Sequence, residues 1–215
     1  MKRPWELWEE WEAWDLYNSY NSHSSHNSHK ALLVLAATLL LTACPKPDPL
    51  PVIAKIAPFA LTAESGQPFQ SKSLDGHAYV ADFIYTTCPG PCPRMTSQMH
   101  GIDSQVRELP VQFVSFTVDP EHDTPEKLTA YAKQFQADTR RWHFLTGSRE
   151  ALNQIFRYSF KLGTIDGAND GTMVHSTRFV LVDAQGQVRG FYSSDDADEL
   201  RKLVRDIRRL EKDST

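Results

Sequence analysis

Tyr79-Val80-Ala81-Asp82-Phe83-Ile84-Tyr85 runs without a break into Thr86-Thr87-Cys88-Pro89-Gly90-Pro91-Cys92-Pro93, and this stretch decides the fold. Residues 79–85 are mostly apolar and β-prone, the pattern of a strand buried in the middle of a sheet. A helix is expected to begin near Pro93, because proline is favoured in a first turn. Met95, Met99, Ile102 and Val106 follow at spacings of three and four and mark its inner face.

The same alternation continues outward. Val111 to Val118 reads as the next strand, and Thr124 as the cap of a helix that starts at Pro125, with Leu128, Tyr131, Ala132 and Phe135 along its apolar stripe. A short strand over Trp142 to Leu145 and a third helix over Ser148 to Tyr158 come next. Residues 161–173, with Gly163, Gly167 and Gly171, read as a loop. Thr177 to Val182 and Val188 to Tyr192 flank Asp183-Ala184-Gln185-Gly186, a hairpin signal, and a last helix is expected from about Asp196 to Leu210. Upstream, Phe59-Ala60-Leu61 and Gln67-Pro68-Phe69 around Ser65-Gly66 read as a small hairpin. Strands separated by helices imply parallel pairing, and the late hairpin implies antiparallel pairing. The expected class is α/β: a thioredoxin-like fold with a central mixed β-sheet, flanking α-helices and an N-terminal β-hairpin.

The chemistry sits where the strand meets the helix. Cysteines four apart on a helical turn bring their Cβ atoms within about 6 Å of each other. That is near the range of a disulfide and also suits two thiolates on one metal ion. A helix N-terminus favours negative charge and lowers the pKa of a thiol beside it. Thiolates are soft and suit Cu(I), whereas a structural zinc site wants four ligands. A purely structural disulfide here would close a very small loop and restrain the unfolded chain little. A third copper ligand has to come from His77, His100, His122, His143 or His175. His100, two helical turns beyond Cys92, is expected to point to solvent. His175 is modestly favoured, because it ends the glycine-rich loop.

The 215 residues carry a net charge of −4, which gives no electrostatic case for nucleic-acid binding. The count of three cysteines is odd, and Cys44 accounts for it. Lys30 and the apolar run Ala31 to Ala43 read as a secretory signal, too short for a bilayer core that needs roughly 20 residues. Leu41-Thr42-Ala43-Cys44 resembles a bacterial lipobox, in which Cys44 is lipidated and becomes the mature N-terminus. Pro45, Pro47, Pro49 and Pro51 then make a stiff spacer. Residues 1–29 contain Trp5, Trp8, Trp11 and Trp14 and a low-complexity tract with His23, His26 and His29. They are read as a leader that cleavage before Cys44 removes. The expected division is therefore 1–29 leader, 30–43 signal, 44–56 tether, 57–211 folded domain and 212–215 tail.

With these motifs in hand, the sequence resembles the SCO/SenC family of thioredoxin-like copper proteins that serve assembly of cytochrome c oxidase. The resemblance covers about residues 57–210. Cys88-Pro89-Gly90-Pro91-Cys92-Pro93 matches the family's C-x-x-x-C-P. Ser115 to Pro120 with Asp123-Thr124-Pro125 matches its S-x-x-x-D-P…D-T-P segment, and His175-Ser176-Thr177 with Leu181-Val182-Asp183 matches its histidine-bearing loop and strand. The resemblance implies copper, as Cu(I) or Cu(II), on Cys88, Cys92 and His175, and Cys88–Cys92 as a redox disulfide. Asp119 matches an acidic position near the family's site and is a candidate to orient a ligand. The family often carries aspartate before the histidine, where this chain has Val174.

The implied function is a metallochaperone that delivers copper to the dinuclear centre of cytochrome c oxidase subunit II or a similar acceptor. It would be anchored by lipid to a bacterial membrane with its domain on the extracytoplasmic side. The alternative is a tethered thiol–disulfide oxidoreductase that reduces a partner's cysteines. The histidine separates the two, since dithiol exchange does not require it.

Overall fold

The structure, a computed structural model, describes residues 48–161 and 176–213. The chain divides into two units, Met1–Pro49 and Leu50–Thr215, and every element named below lies in the second. In chain order these are β1 (Ala54–Lys55), β2 (Ala60–Ala63), β3 (Pro68–Gln70), a 3-10 turn (Ser71–Leu74), β4 (Tyr79–Ile84), α1 (Pro91–Gln105), β5 (Gln112–Thr117) and α2 (Pro125–Gln134). There follow β6 (Trp142–Thr146), α3 (Arg149–Gln154) continued by a π-helical turn (Ile155–Ser159), β7 (Arg178–Val182), β8 (Gln187–Ser193) and α4 (Ala197–Asp213).

All the strands join one sheet, in the order β1-β8-β7-β4-β5-β6-β2-β3. β4, β5 and β6 run parallel, as strands linked by crossover helices must. β7 lies antiparallel on the other side of β4, and β8 continues antiparallel beyond it. The β2–β3 hairpin docks antiparallel on β6. This is the thioredoxin-like α/β plan.

Period-two alternation divides the core between the two faces. Val80 and Ile84 of β4, Phe113 of β5 and Trp142 and Phe144 of β6 pack under α1, α2 and α4. Tyr79, Ala81, Phe83, Val114 and Phe116 point the other way, onto Leu152 of α3, Phe156 and Phe160. Four of these rings make a close cluster: Phe83 meets Phe156 edge-on at 5.0 Å and Phe160 at 5.1 Å, and Phe116 reaches both. β4 is buried at every position, so the loop leaving its C-terminal end is held on a rigid base.

Three features differ from the sequence expectation. Residues 53–56, read as the end of the tether, belong to the sheet: Ile53 N–H donates to Val188 O at 2.9 Å and Ile56 N–H to Gly186 O at 2.8 Å. A two-residue strand is too short to show a periodic signal. The third helix widens into a π-helical turn after Gln154. Helix α1 starts at Pro91 and not near Pro93, which puts Cys92 inside its first turn. The expected glycine-rich loop, apart from Lys161, and His175 after it lie outside the described residues. So does Cys44. Among the described residues no helix is long and apolar enough to cross a membrane.

Candidate metal centre

β4 ends at Ile84, and the chain turns at once, with Cys88 N–H donating to Tyr85 O at 3.2 Å. Gly90 occupies the N-cap of α1 and has no side chain to cap it, and Pro91 follows. The open N–H groups of the first turn are therefore left for another acceptor. Cys88 Sγ takes that place: Cys92 N–H donates to it at 3.4 Å. Both sulfurs are free thiols and both are buried, Cys88 at 6% and Cys92 at 3% exposure. The structure thus brings together the two cysteines that the sequence paired.

The two thiols are not equivalent. Burial opposes ionisation of Cys88, but hydrogen bonds from Cys92, from the backbone N–H groups of Gly90 and Cys92 and from Tyr85 outweigh it and hold its pKa below the ordinary thiol value. Cys92 is pushed up, first by burial, then by its hydrogen bond to Cys88 and by the negative charges near it, Asp82 included. Tyr85 is raised to about 12, by burial and then by its hydrogen bond to Cys88; the negative charge of Asp119 adds to the rise. One thiol is prepared to be a thiolate, and the other keeps its proton until something replaces it.

Beneath them lies a group that the sequence reading passed over. Asp82 sits between Val80 and Ile84 on the helix-facing side of β4 and is fully buried. Among the described residues neither carboxyl oxygen has a hydrogen-bond partner in good geometry, and Ser115 is its nearest polar help. Burial lifts its pKa to about 7, and Ser115, its partner in the β4–β5 register, opposes the rise only in part. Ser115 Oγ also accepts from Trp142 Nε1 at 2.9 Å. The available signal was a single acid in an otherwise apolar run.

The next loop along the sheet braces the first. Asp123, fully buried, accepts from Thr86 N–H at 3.2 Å, from the Thr86 hydroxyl and from the Thr117 hydroxyl. Thr117 Oγ1 in turn accepts from Asp119 N–H at 2.9 Å. Asp119, the acidic position singled out in the sequence, is buried beside this chain of bonds, and both its oxygens lie near His122 Nδ1, at 2.8 and 3.0 Å. Asp123 was visible in the sequence only as part of a motif, with no sign of its bonding role.

The other histidines of the described residues face elsewhere. His77 Nδ1 meets Pro110 O at 3.2 Å, and His143 Nε2 meets Gln112 Oε1 at 3.3 Å with its ring against Phe69. Burial depresses the pKa of His143. His100 is half-buried and its Nδ1 is shielded from water, so it does not point freely to solvent as the helical spacing had suggested. Among the described residues no three His, Cys, Asp or Glu side chains gather as a metal site. The thiol pair supplies two soft ligands at a helix start, and a further ligand has to come from another segment.

A mixed thioredoxin-like sheet whose first parallel strand delivers a C-x-x-x-C-P turn to a helix start defines a dithiol protein of the thioredoxin class. The SCO1/SenC family model matches residues 48–212, and the chain belongs to that family. It is similar to a SCO1/SenC family lipoprotein from Bacillus anthracis (TM-score 0.67, 38% identity, 73% of this chain and 95% of that one). It is also similar to BsSco, a member of the Sco family of cytochrome c oxidase assembly proteins in which a disulfide switch has been identified (TM-score 0.68, 27% identity, 78% and 99%). A third similar structure is ScoI of Arabidopsis thaliana with copper bound (TM-score 0.62, 26% identity, 73% and 99%).

Proposed function

We propose that the protein is a copper metallochaperone, anchored by lipid on Cys44 to the extracytoplasmic face of a bacterial membrane. In this reading it holds copper on Cys88, Cys92 and His175 and passes it to the dinuclear copper centre of cytochrome c oxidase subunit II or a similar acceptor. The observation that carries the reading is the pair of free, buried thiols one turn apart at the start of α1, one of them favoured as thiolate. Two thiolates hold Cu(I), and an added imidazole suits Cu(II). Copper entry displaces the Cys92 proton, so uptake releases protons and depends on pH. The copper-bound Arabidopsis relative and the Bacillus anthracis lipoprotein support the cargo and the anchor respectively.

The test is Cu(I) and Cu(II) affinity of the detergent-extracted protein, measured by competition with chelators. Cys88→Ala and Cys92→Ala are expected to lose both ions, and His175→Ala to lose Cu(II) more than Cu(I). Unchanged Cu(II) binding and spectra in His175→Ala would remove the third ligand from the reading. Intact mass starting at a lipidated Cys44, lost in Cys44→Ser, tests the anchor.

The unequal thiols favour a second reading. A Cys88 thiolate can attack a partner's disulfide, forming a mixed disulfide and releasing one partner thiolate. Cys92, once deprotonated, then closes Cys88–Cys92 and releases the second, so the protein is oxidised by two electrons and the partner reduced by two. The disulfide switch of BsSco is in keeping with this chemistry. Oxidase assembly that survives His175→Ala but not Cys88→Ala is the outcome that selects it.

A further inference from the structure

We propose that His122, held by Asp119, is a second landing point for copper beside the thiol pair, through which the ion enters and leaves. The proposal rests on the copper reading above.

His122 lies in the loop between β5 and α2. Its side chain is 68% exposed while that of Asp119 is 11% exposed. A carboxylate can only accept, so in the neutral ring Nδ1 carries the proton toward Asp119 and Nε2 keeps its lone pair. A metal-binding imidazole is commonly oriented in this way, by a carboxylate on its other nitrogen. The dyad is itself fixed: His122 N–H donates to Asp119 O at 3.1 Å, Asp123 N–H donates to the same oxygen at 2.9 Å, and Asp119 N–H is held by Thr117.

The loop is tied by the sheet to the turn that carries Cys88. Val118 N–H donates to Ile84 O at 2.8 Å, and Asp123 grips Thr86, two residues before the Tyr85-to-Cys88 turn closes. Tyr85 hydrogen-bonds Cys88 on one side and feels the charge of Asp119 on the other. His77 is bonded through Nδ1 to Pro110 O before β4 and β5, at the end of the sheet opposite the thiols, and His100 and His143 are shielded or engaged, so among the described residues His122 is the histidine with an oriented, exposed ring at the C-terminal ends of these strands. The sulfurs are buried, and an ion reaching them from another protein must shed ligands one at a time. An exposed imidazole on the neighbouring loop supplies an intermediate ligand for that exchange. With no third donor gathered around it among the described residues, it suits brief occupancy and not storage.

The test uses the detergent-extracted protein and copper itself. Cu(I) exchange with a chelator is followed by rapid mixing, and Cu(II) is added to protein whose thiols have been alkylated and examined by electron paramagnetic resonance. His122→Ala is expected to retain the equilibrium Cu(I) affinity, to exchange copper about tenfold more slowly, and to lose a nitrogen-coupled Cu(II) signal. Imidazole added to the buffer is expected to restore the rate. Asp119→Asn is expected to slow exchange in the same direction. If wild type binds no copper, the copper reading and this inference fall together. If wild type binds and exchanges copper and His122→Ala matches it in rate and spectrum, only this inference falls. Slower exchange accompanied by altered thiol alkylation would trace to a displaced loop and also overturn it.

Discussion

The loops leaving β4 and β5 are built to the same plan and used for different ends. Each departs from the C-terminal end of a buried parallel strand, where the open edge of an α/β sheet presents its ligands. Each feeds a helix whose first turn holds proline, Pro91 in α1 and Pro125 in α2. In α2 the cap is a side chain, and Thr124 Oγ1 accepts from Lys127 N–H. In α1 the cap is Gly90, which offers none, and a cysteine sulfur occupies the space that a cap would fill. The comparison shows how a helix N-terminus becomes reactive: leave out the residue that would satisfy it and place a thiol there.

The strongest way to break this contrast is to remove the thiols. Cys88→Ala or Cys92→Ala leaves one sulfur, and the expected loss of Cu(I) affinity exceeds the 10–100-fold, roughly, that loss of an outer hydrogen-bond partner costs. Chelator competition measures it. The variants differ in reactivity as well. Cys92→Ala, in which the backbone N–H groups and Tyr85 still favour the Cys88 thiolate, is expected to alkylate faster than Cys88→Ala, in which burial still opposes ionisation of Cys92. Equal alkylation rates would mean that the helix start does not distinguish the two sulfurs.

Asp82 sharpens the comparison from below. Its pKa is lifted from 3.8 to about 7, so the folded protein binds this proton more tightly than the unfolded chain does. The stabilisation from that proton is complete below the unfolded value, declines as pH rises toward about 7 and is gone above it. Three units correspond to about 4 kcal/mol at most, at a slope of no more than about 1.4 kcal/mol per pH unit. Asp82→Asn is expected to flatten this decline in denaturant titrations across the acid to neutral range. An unchanged slope would place the titrating group elsewhere.

Much of this architecture is legible in the residues. Apolar, β-prone runs placed β4 and β5, the spacing of Met95, Met99, Ile102 and Val106 gave α1 its inner face, and Thr124-Pro125 fixed the start of α2. What escaped is non-local. The pairing of Ala54–Lys55 with β8 joins residues far apart in the chain, and so does the grip of Asp123 on Thr86. No periodic pattern reports either one. The helix start was placed two residues late because Pro91 and Pro93 each fit a first turn. Cys88 and Cys92 were readable because their spacing carries the chemistry. Asp82 was hidden because its meaning depends on what lies above it.

Asp123 joins the two loops, and removing it tests whether they act as one unit. Asp123→Ala leaves the Thr86 N–H and the Thr86 and Thr117 hydroxyls without their acceptor in a buried setting. A loss of about 3 kcal/mol is expected, on the scale of a hydrogen bond to a carboxylate plus an orphaned donor. Because Thr86 is close to Cys88, thiol alkylation should change with stability. A destabilised protein with wild-type thiol reactivity would show that the β4 loop keeps its shape without the brace.

Thr124 gives the smallest effect and the cleanest control. Its hydroxyl is an ordinary N-cap, 3.4 Å from Lys127 N–H at an exposed helix start, and Glu126 adds a favourable charge in the first turn. Thr124→Ala removes the acceptor while Glu126 and Pro125 stay in place, so the expected cost is about 1 kcal/mol. For a domain of this size that is a fall in Tm of roughly 2–4 °C. The thiols should not respond, because Thr124 bonds within its own loop and Asp123 still holds Thr86. Calorimetry paired with the alkylation rate of Cys88 separates the two quantities. A fall in Tm with unchanged alkylation means that one helix start is capped for stability and the other is left open for chemistry. A change in alkylation as large as that of Asp123→Ala would mean that the cap of α2 also sets the geometry of the sulfur site, and the division of labour between the two loops would be lost.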